Sequence, residues 1–221
     1  MQEKKKKYYA ALVGMIVFAA MGAAAPTTQA DFEPALYRAA KRGNLAKVEQ
    51  LIQQGAKVNE TTDEQETPLH AAAEESHVKV AQYLLEKGAN VNAIDEDGQS
   101  PLHLAAGERS LPMVKLLIEK GAKIDEADEE GDTPLHCATD EGTLEIVAFL
   151  VEKGANVNTA NQDGETPLHI AAEENSLDVV KLLVDQGADV TAQDKKGRTA
   201  EEIAEQEGRK DIVRFLKENT K

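Results

Sequence analysis

Four histidines stand in register, His70, His103, His136 and His169, each 33 residues after the last. Imidazole nitrogens can ligate a metal or carry protons. One zinc ion needs every ligand about 2 Å away, whereas packed helices lie roughly 8–10 Å apart. Rings on successive packed units therefore cannot easily share an ion, and a structural role is expected of them. Cys137 follows His136 in a place held elsewhere by Ala71, Leu104 and Ile170, so that place is apolar. A nucleophilic thiolate needs a lowered pKa and a nearby base, and adjacent helical residues point about 100° apart. A buried structural thiol is expected at Cys137, with redox pairing left open.

The carboxylate clusters Asp95-Glu96-Asp97-Gly98 and Asp128-Glu129-Glu130-Gly131 invite a calcium reading. An EF-hand loop needs carboxylates at alternate positions before the glycine and a glutamate six after it. Ala93 and Leu104 stand in those places in the first cluster, and Cys137 in the last place of the second. Acid–base catalysis would need one carboxylate of a pair desolvated, and turn tips are wet. Neither glycine-rich phosphate loop pattern occurs, there is no nucleophile elbow, and the chain has only four serines. The sequence thus predicts no enzyme, no cofactor and no metal site.

Composition narrows the classes further. The 221 residues include 40 Asp and Glu against 25 Lys and Arg, a formal charge of −15. That balance argues against nucleic acid, whose phosphates need a basic stripe. With 4% aromatics and no Trp, base-stacking platforms are excluded too. A single Cys rules out a disulfide framework and a multi-thiolate metal site.

The elements that must position these residues follow a 33-residue period. Pro-Leu-His recurs at 68–70, 101–103, 134–136 and 167–169, and Gly-Ala at 55, 88, 121, 154 and 187. A third series, Gly98, Gly131, Gly164 and Gly197, keeps the same step. Each unit opens with Thr-Pro or Ser-Pro, where the missing proline N–H costs a first helical turn nothing. A short Leu-His-x-Ala-Ala helix follows, then a second helix with apolar residues at helical spacing, such as Leu177, Val180 and Leu183–Val184. Gly187 should stop that helix in the left-handed region, and an acidic, glycine-containing stretch should form a projecting turn.

The motif Thr-Pro-Leu-His-x-Ala-Ala stands nearly intact at 67–73, 100–106, 133–139 and 166–172. On these residues the chain resembles the ankyrin repeat family over about 31–221. The resemblance implies an all-α repeat solenoid, in which helix-turn-helix units joined by β-hairpin-like loops stack into a curved array. Six units are expected: 31–62 as N-terminal cap, 63–95, 96–128, 129–161, 162–194, and 195–221 as C-terminal cap. The caps depart from the motif with Pro34-Ala35-Leu36-Tyr37 and Thr199-Ala200-Glu201-Glu202, as the polar ends of a stack require. Gln65 replaces the hairpin glycine. Ser76, Arg109 and Asn175 replace the inter-helix glycine found at Gly43, Gly142 and Gly208, and Arg109 should carry local strain.

The resemblance also implies a partner-binding face of hairpin tips and first-helix positions. In the four central units these are Asp63, Glu64, Glu66, Glu74 and Glu75; Glu96, Asp97 and Glu108; Glu129, Glu130, Asp132, Asp140 and Glu141; and Asp163, Glu165, Glu173 and Glu174. They fill 17 of 20 such positions, with Lys41, Arg42, Lys195, Lys196 and Arg198 at the margins. A concave strip of one sign suits a basic protein partner. The competing readings are a solubilising surface and a carboxylate-rich, cation-binding or structural envelope protein. A monomer is expected.

Residues 1–30 read as a targeting segment. Lys4–Lys7 precede an uncharged run from Tyr8 to Ala25, and Thr28-Gln29-Ala30 fits a secretory cleavage site. Cleavage would leave Asp31 first and a body carrying −18, since residues 1–30 hold four lysines and one glutamate. The alternative is an uncleaved anchor, because eighteen uncharged residues just span a bilayer and the lysines would stay in the cytoplasm. The expected setting is periplasmic or secreted, or anchored in an inner membrane with the repeats outside the cytoplasm.

Overall fold

The computed structural model describes residues 33–219; the proposed targeting segment lies outside them. Among the described residues twelve helices form six pairs, each joined by a tight turn. They are α1 (Ala35–Lys41) with α2 (Leu45–Gln53), α3 (Pro68–Glu74) with α4 (Val78–Glu86), and α5 (Pro101–Gly107) with α6 (Leu111–Glu119). There follow α7 (Pro134–Asp140) with α8 (Leu144–Glu152), α9 (Pro167–Glu173) with α10 (Leu177–Asp185), and α11 (Ala200–Gln206) with α12 (Lys210–Asn219). No described residue lies in a β-strand, and no described helix is long and apolar enough to cross a membrane. First helices pack on first helices and second on second from pair to pair, so the chain is an all-α repeat solenoid.

Residue size explains the stacking. Ala72, Ala73, Ala105, Ala106, Ala171 and Ala172 are fully buried, and their single methyl groups let successive first helices approach closely. The larger core side chains, Leu84, Leu117, Leu150 and Leu183, come from the second helices at the same 33-residue step. Removing this apolar surface from water is the main favourable term, and one continuous cluster runs from Leu36 to Leu216.

Loop chemistry follows the glycine pattern, including its exceptions. Gln65, Ser76, Arg109 and Asn175, the four residues standing where other units have glycine, all hold positive φ (62°, 56°, 58° and 60°). Stacking demands the glycines at the tips as well. A Cβ on Gly98, Gly131 or Gly164 would meet the backbone nitrogen of the next unit's tip at 2.8–2.9 Å. Each tip also donates one backbone N–H to the tip before it: Glu96 to Glu64, Glu129 to Asp97, Gln162 to Glu130 and Lys195 to Asp163, at 2.8–3.0 Å.

Candidate interaction face

The four motif histidines are buried and bonded on both sides of the ring. Nδ1 of His70 accepts the backbone N–H of Thr67 at 3.0 Å, so the ring is the Nε2–H tautomer, and Nε2 donates to the Gln99 carbonyl of the next unit at 3.1 Å. His103 reaches Asp132, His136 reaches Glu165, and His169 reaches Arg198 in the same way. In the final unit Glu202 replaces the ring, accepting the Thr199 N–H at 2.8 Å. Burial disfavours the imidazolium, pushing His70 down to about 4 and lowering His103, His136 and His169. With Nδ1 accepting and Nε2 donating, neither nitrogen has a lone pair to give a metal.

Cys137 is half-buried against the core rather than fully buried. Its place resembles that of Leu104, also half-exposed, more than those of Ala71 and Ile170.

The acidic clusters divide by role. Asp95 Oδ1 accepts the N–H groups of Asp97 and Gln99. Asp128 does the same for Glu130 and Asp132, Asn161 for Asp163 and Glu165, and Asp194 for Lys196 and Arg198. These are Asx turns that shape the tips, so the first side chain of each tip, a carboxylate in all but Asn161, is committed to backbone. Among the described residues, no three His, Cys, Asp or Glu side chains gather as a metal-binding group.

The 17 partner-binding candidates separate likewise. Asp132 is buried, 8% exposed, and accepts the Asn161 amide at 2.8 Å. Five are half-buried: Glu66, Glu74, Asp140, Glu141 and Glu165. Glu66 accepts the Tyr37 hydroxyl, Glu74 pairs with Lys41 at 3.4 Å, Glu141 with Arg109 at 2.7 Å and Glu165 with Arg198 at 3.7 Å. The remaining eleven are exposed: Asp63, Glu64, Glu75, Glu96, Asp97, Glu108, Glu129, Glu130, Asp163, Glu173 and Glu174. Glu74, Glu75 and Glu141, from the units on either side, lie close enough to Glu108 to repel its charge. Partial burial first, then these neighbours, raises the Glu108 pKa. Glu165 is raised by burial and by Glu173 and Asp163, and burial raises Glu66 and Asp132. At the margins Arg42, Lys195 and Lys196 are exposed, while Lys41 and Arg198 are engaged in the pairs just given.

A second ladder runs along the other loops and was not read from the sequence. Asn59 donates its amide to the Gly88 carbonyl at 3.1 Å and accepts the Asn90 N–H at 2.8 Å. Asn92 bridges to Gly121 and Lys123 in the same manner, and Asn158 to Gly187 and Asp189. The signal was present as an Asn at 33-residue spacing after a branched apolar residue. An isolated Asn beside a turn nevertheless reads as local turn chemistry.

A family model described as ankyrin repeats (three copies) matches residues 8–95, 90–161 and 156–221. No curated protein sequence matches the chain significantly. The repeated Thr-Pro-Leu-His boxes, the cross-unit histidine bonds and this match over almost the whole length agree: the chain belongs to the ankyrin repeat family.

Proposed function

We propose that residues 31–221 act outside the cytoplasm as a binding module for a basic protein partner, held by the exposed carboxylates of the tips and first-helix ends. Ankyrin repeats are in general protein–protein interaction modules, and this reading gives the chain no catalysis of its own. The observation that carries it is the division of the strip. Eleven carboxylates on four successive units are exposed to solvent, while the cations Lys41, Arg109 and Arg198 are already paired with Glu74, Glu141 and Glu165. Like charges held on one face repel one another, and a basic partner relieves that repulsion and is captured faster for it. The export component rests on the Lys4–Lys7 and Tyr8–Ala25 pattern.

The test is affinity capture from native extract, washed at about 50 mM and about 500 mM salt, between which the Debye length falls from roughly 14 to 4 Å. A discrete basic protein kept at low salt and released at high salt is expected. Nothing discrete at either salt would leave the strip a solubility feature. N-terminal sequencing of the exported protein should begin at Asp31; an intact lysine-rich start would mean an anchor.

A further inference from the structure

Three of the twenty positions on the candidate face carry no charge: Gln99, Gly107 and Gln162. Two of the three fall in the third unit, so the acidic strip is interrupted there.

The gap at Gly107 changes what lies beneath it. Side chains on a helix lean toward its N-terminus, so the residue at i+3 lies over residue i. On the four central first helices the covering residues are Glu74, Gly107, Asp140 and Glu173, and the residues beneath are Ala71, Leu104, Cys137 and Ile170. Under Glu74 and Glu173, Ala71 and Ile170 are buried, at 1% and 5%. Under Gly107, which has no side chain, Leu104 is only half-buried, and under the shorter Asp140 so is Cys137. A Cβ on Gly107 would meet nothing within 4 Å, so the space over Leu104 is open. Leu104 and Cys137 hold equivalent places on α5 and α7, which pack together, and packed helices lie roughly 8–10 Å apart. The two therefore line one uncharged step that crosses from the third unit to the fourth.

Carboxylates border that step. Glu108 follows Gly107 directly, and Glu74, Glu75 and Glu141 lie close enough to act on its charge. Arg109, the adjacent cation, is taken by Glu141 at 2.7 Å. Interfaces draw most of their affinity from a few anchors seated where water is excluded, with a polar rim around them. A half-exposed leucine beside an open step, inside an acidic rim, has that composition. Its complement is an apolar side chain with cationic neighbours.

We propose that Leu104, Gly107 and Cys137 form an apolar anchor site within the acidic strip, which takes a leucine-sized side chain flanked by lysine or arginine in the partner. This rests on the reading of the strip as a surface for a basic protein, and it gives that protein a sequence requirement beyond charge. The anchor enters over α5, at the place that Glu74 and Glu173 close on α3 and α9.

Two peptide probes separate charge from anchor: a run of lysines with a central leucine, and the same run with a central alanine. Binding to the full chain is read by fluorescence anisotropy at about 50 mM salt. The leucine peptide should bind at least about fivefold tighter than the alanine peptide. Gly107→Gln, which sets an uncharged side chain over Leu104, should bring that ratio to about one and leave the alanine peptide's affinity unchanged. Gly107 ends α5 without a positive φ, and other units carry Glu or Asp there, so the substitution fits the fold. Glu173→Gln, made over the covered Ile170, should weaken both peptides alike and keep the ratio. Equal binding of the two peptides by the wild-type chain, or a ratio that survives Gly107→Gln, would overturn the anchor and leave the acidic strip standing. Binding of neither peptide would overturn the strip reading and the anchor with it.

Discussion

The histidine column and the carboxylate strip share one 33-residue period and differ in what each side chain has left to offer. His70, His103, His136 and His169 are buried, neutral and bonded at both ring nitrogens. Their work is to fasten each motif to the next unit. Glu75, Glu108, Glu173 and Glu174 are exposed on the same framework. Regular recurrence therefore marks position in the fold, while exposure and prior bonding decide which recurring residue is available to a partner.

The two columns titrate in opposite senses, and pH gives the largest effect. The histidines are held below their unfolded value near 6.5, His70 at about 4. As pH falls from 6.5 toward 4 the unfolded chain takes up protons that the folded chain refuses, so stability is lost through that window. Between pH 7.5 and 5.5 His70 should cost about 1 kcal/mol, and His103, His136 and His169 add to the loss in the same direction. Glu66, Glu108 and Glu165 are held above 4.5. The folded chain therefore protonates them first, and they return a smaller amount of stability as pH falls toward 4.5. Urea midpoints at the two pH values, repeated in 0.5 M salt, should separate the columns: salt shrinks the part of the carboxylate contribution due to neighbouring charges and leaves the histidine loss. A midpoint rising on acidification would contradict the assignment.

His136→Ala should cost about 3 kcal/mol, because it strands the Thr133 N–H and the Glu165 carbonyl and leaves a cavity. Exposed counterparts such as Glu174→Gln should stay within about 0.5 kcal/mol. Asp125 stands where Asn59, Asn92 and Asn158 stand and accepts the Asn156 N–H at 3.0 Å, but its carboxylate has no N–H to give in return; Asp125→Asn should therefore add about 1 kcal/mol, the usual net value of one hydrogen bond, read as a raised urea midpoint. Arg109→Gly should come out slightly stabilising, by about 0.5 kcal/mol. Relief of the left-handed backbone outweighs an exposed ion pair worth only a few tenths. A clear loss there would mean that the Arg109–Glu141 pair carries more than its exposure suggests.

Much of this was legible in the sequence. The Pro-Leu-His, Gly-Ala and tip-glycine series placed the helix pairs, and substitution of glycine by Gln65, Ser76, Arg109 and Asn175 marked four left-handed residues. What stayed hidden was which side chains are already bonded, by their own turn or by neighbours 29 to 31 residues away. Asp95 and Glu96 are both acidic tip residues, yet one is committed to backbone N–H groups and the other is exposed. Asp132 sits on the strip in sequence and is buried under the Asn161 amide in space. Asn59, Asn92 and Asn158 look like turn residues until the next loop is stacked beside them.

The proposed binding surface is the set of exposed carboxylates, not the bonded ladder. The most direct measurement is capture of the salt-released partner by wild-type chain and by a Glu75→Gln, Glu108→Gln, Glu173→Gln, Glu174→Gln variant, with urea midpoints recorded for both. The partner should be lost or strongly weakened at a midpoint equal to or above that of wild type. Undiminished capture by the folded variant would contradict it.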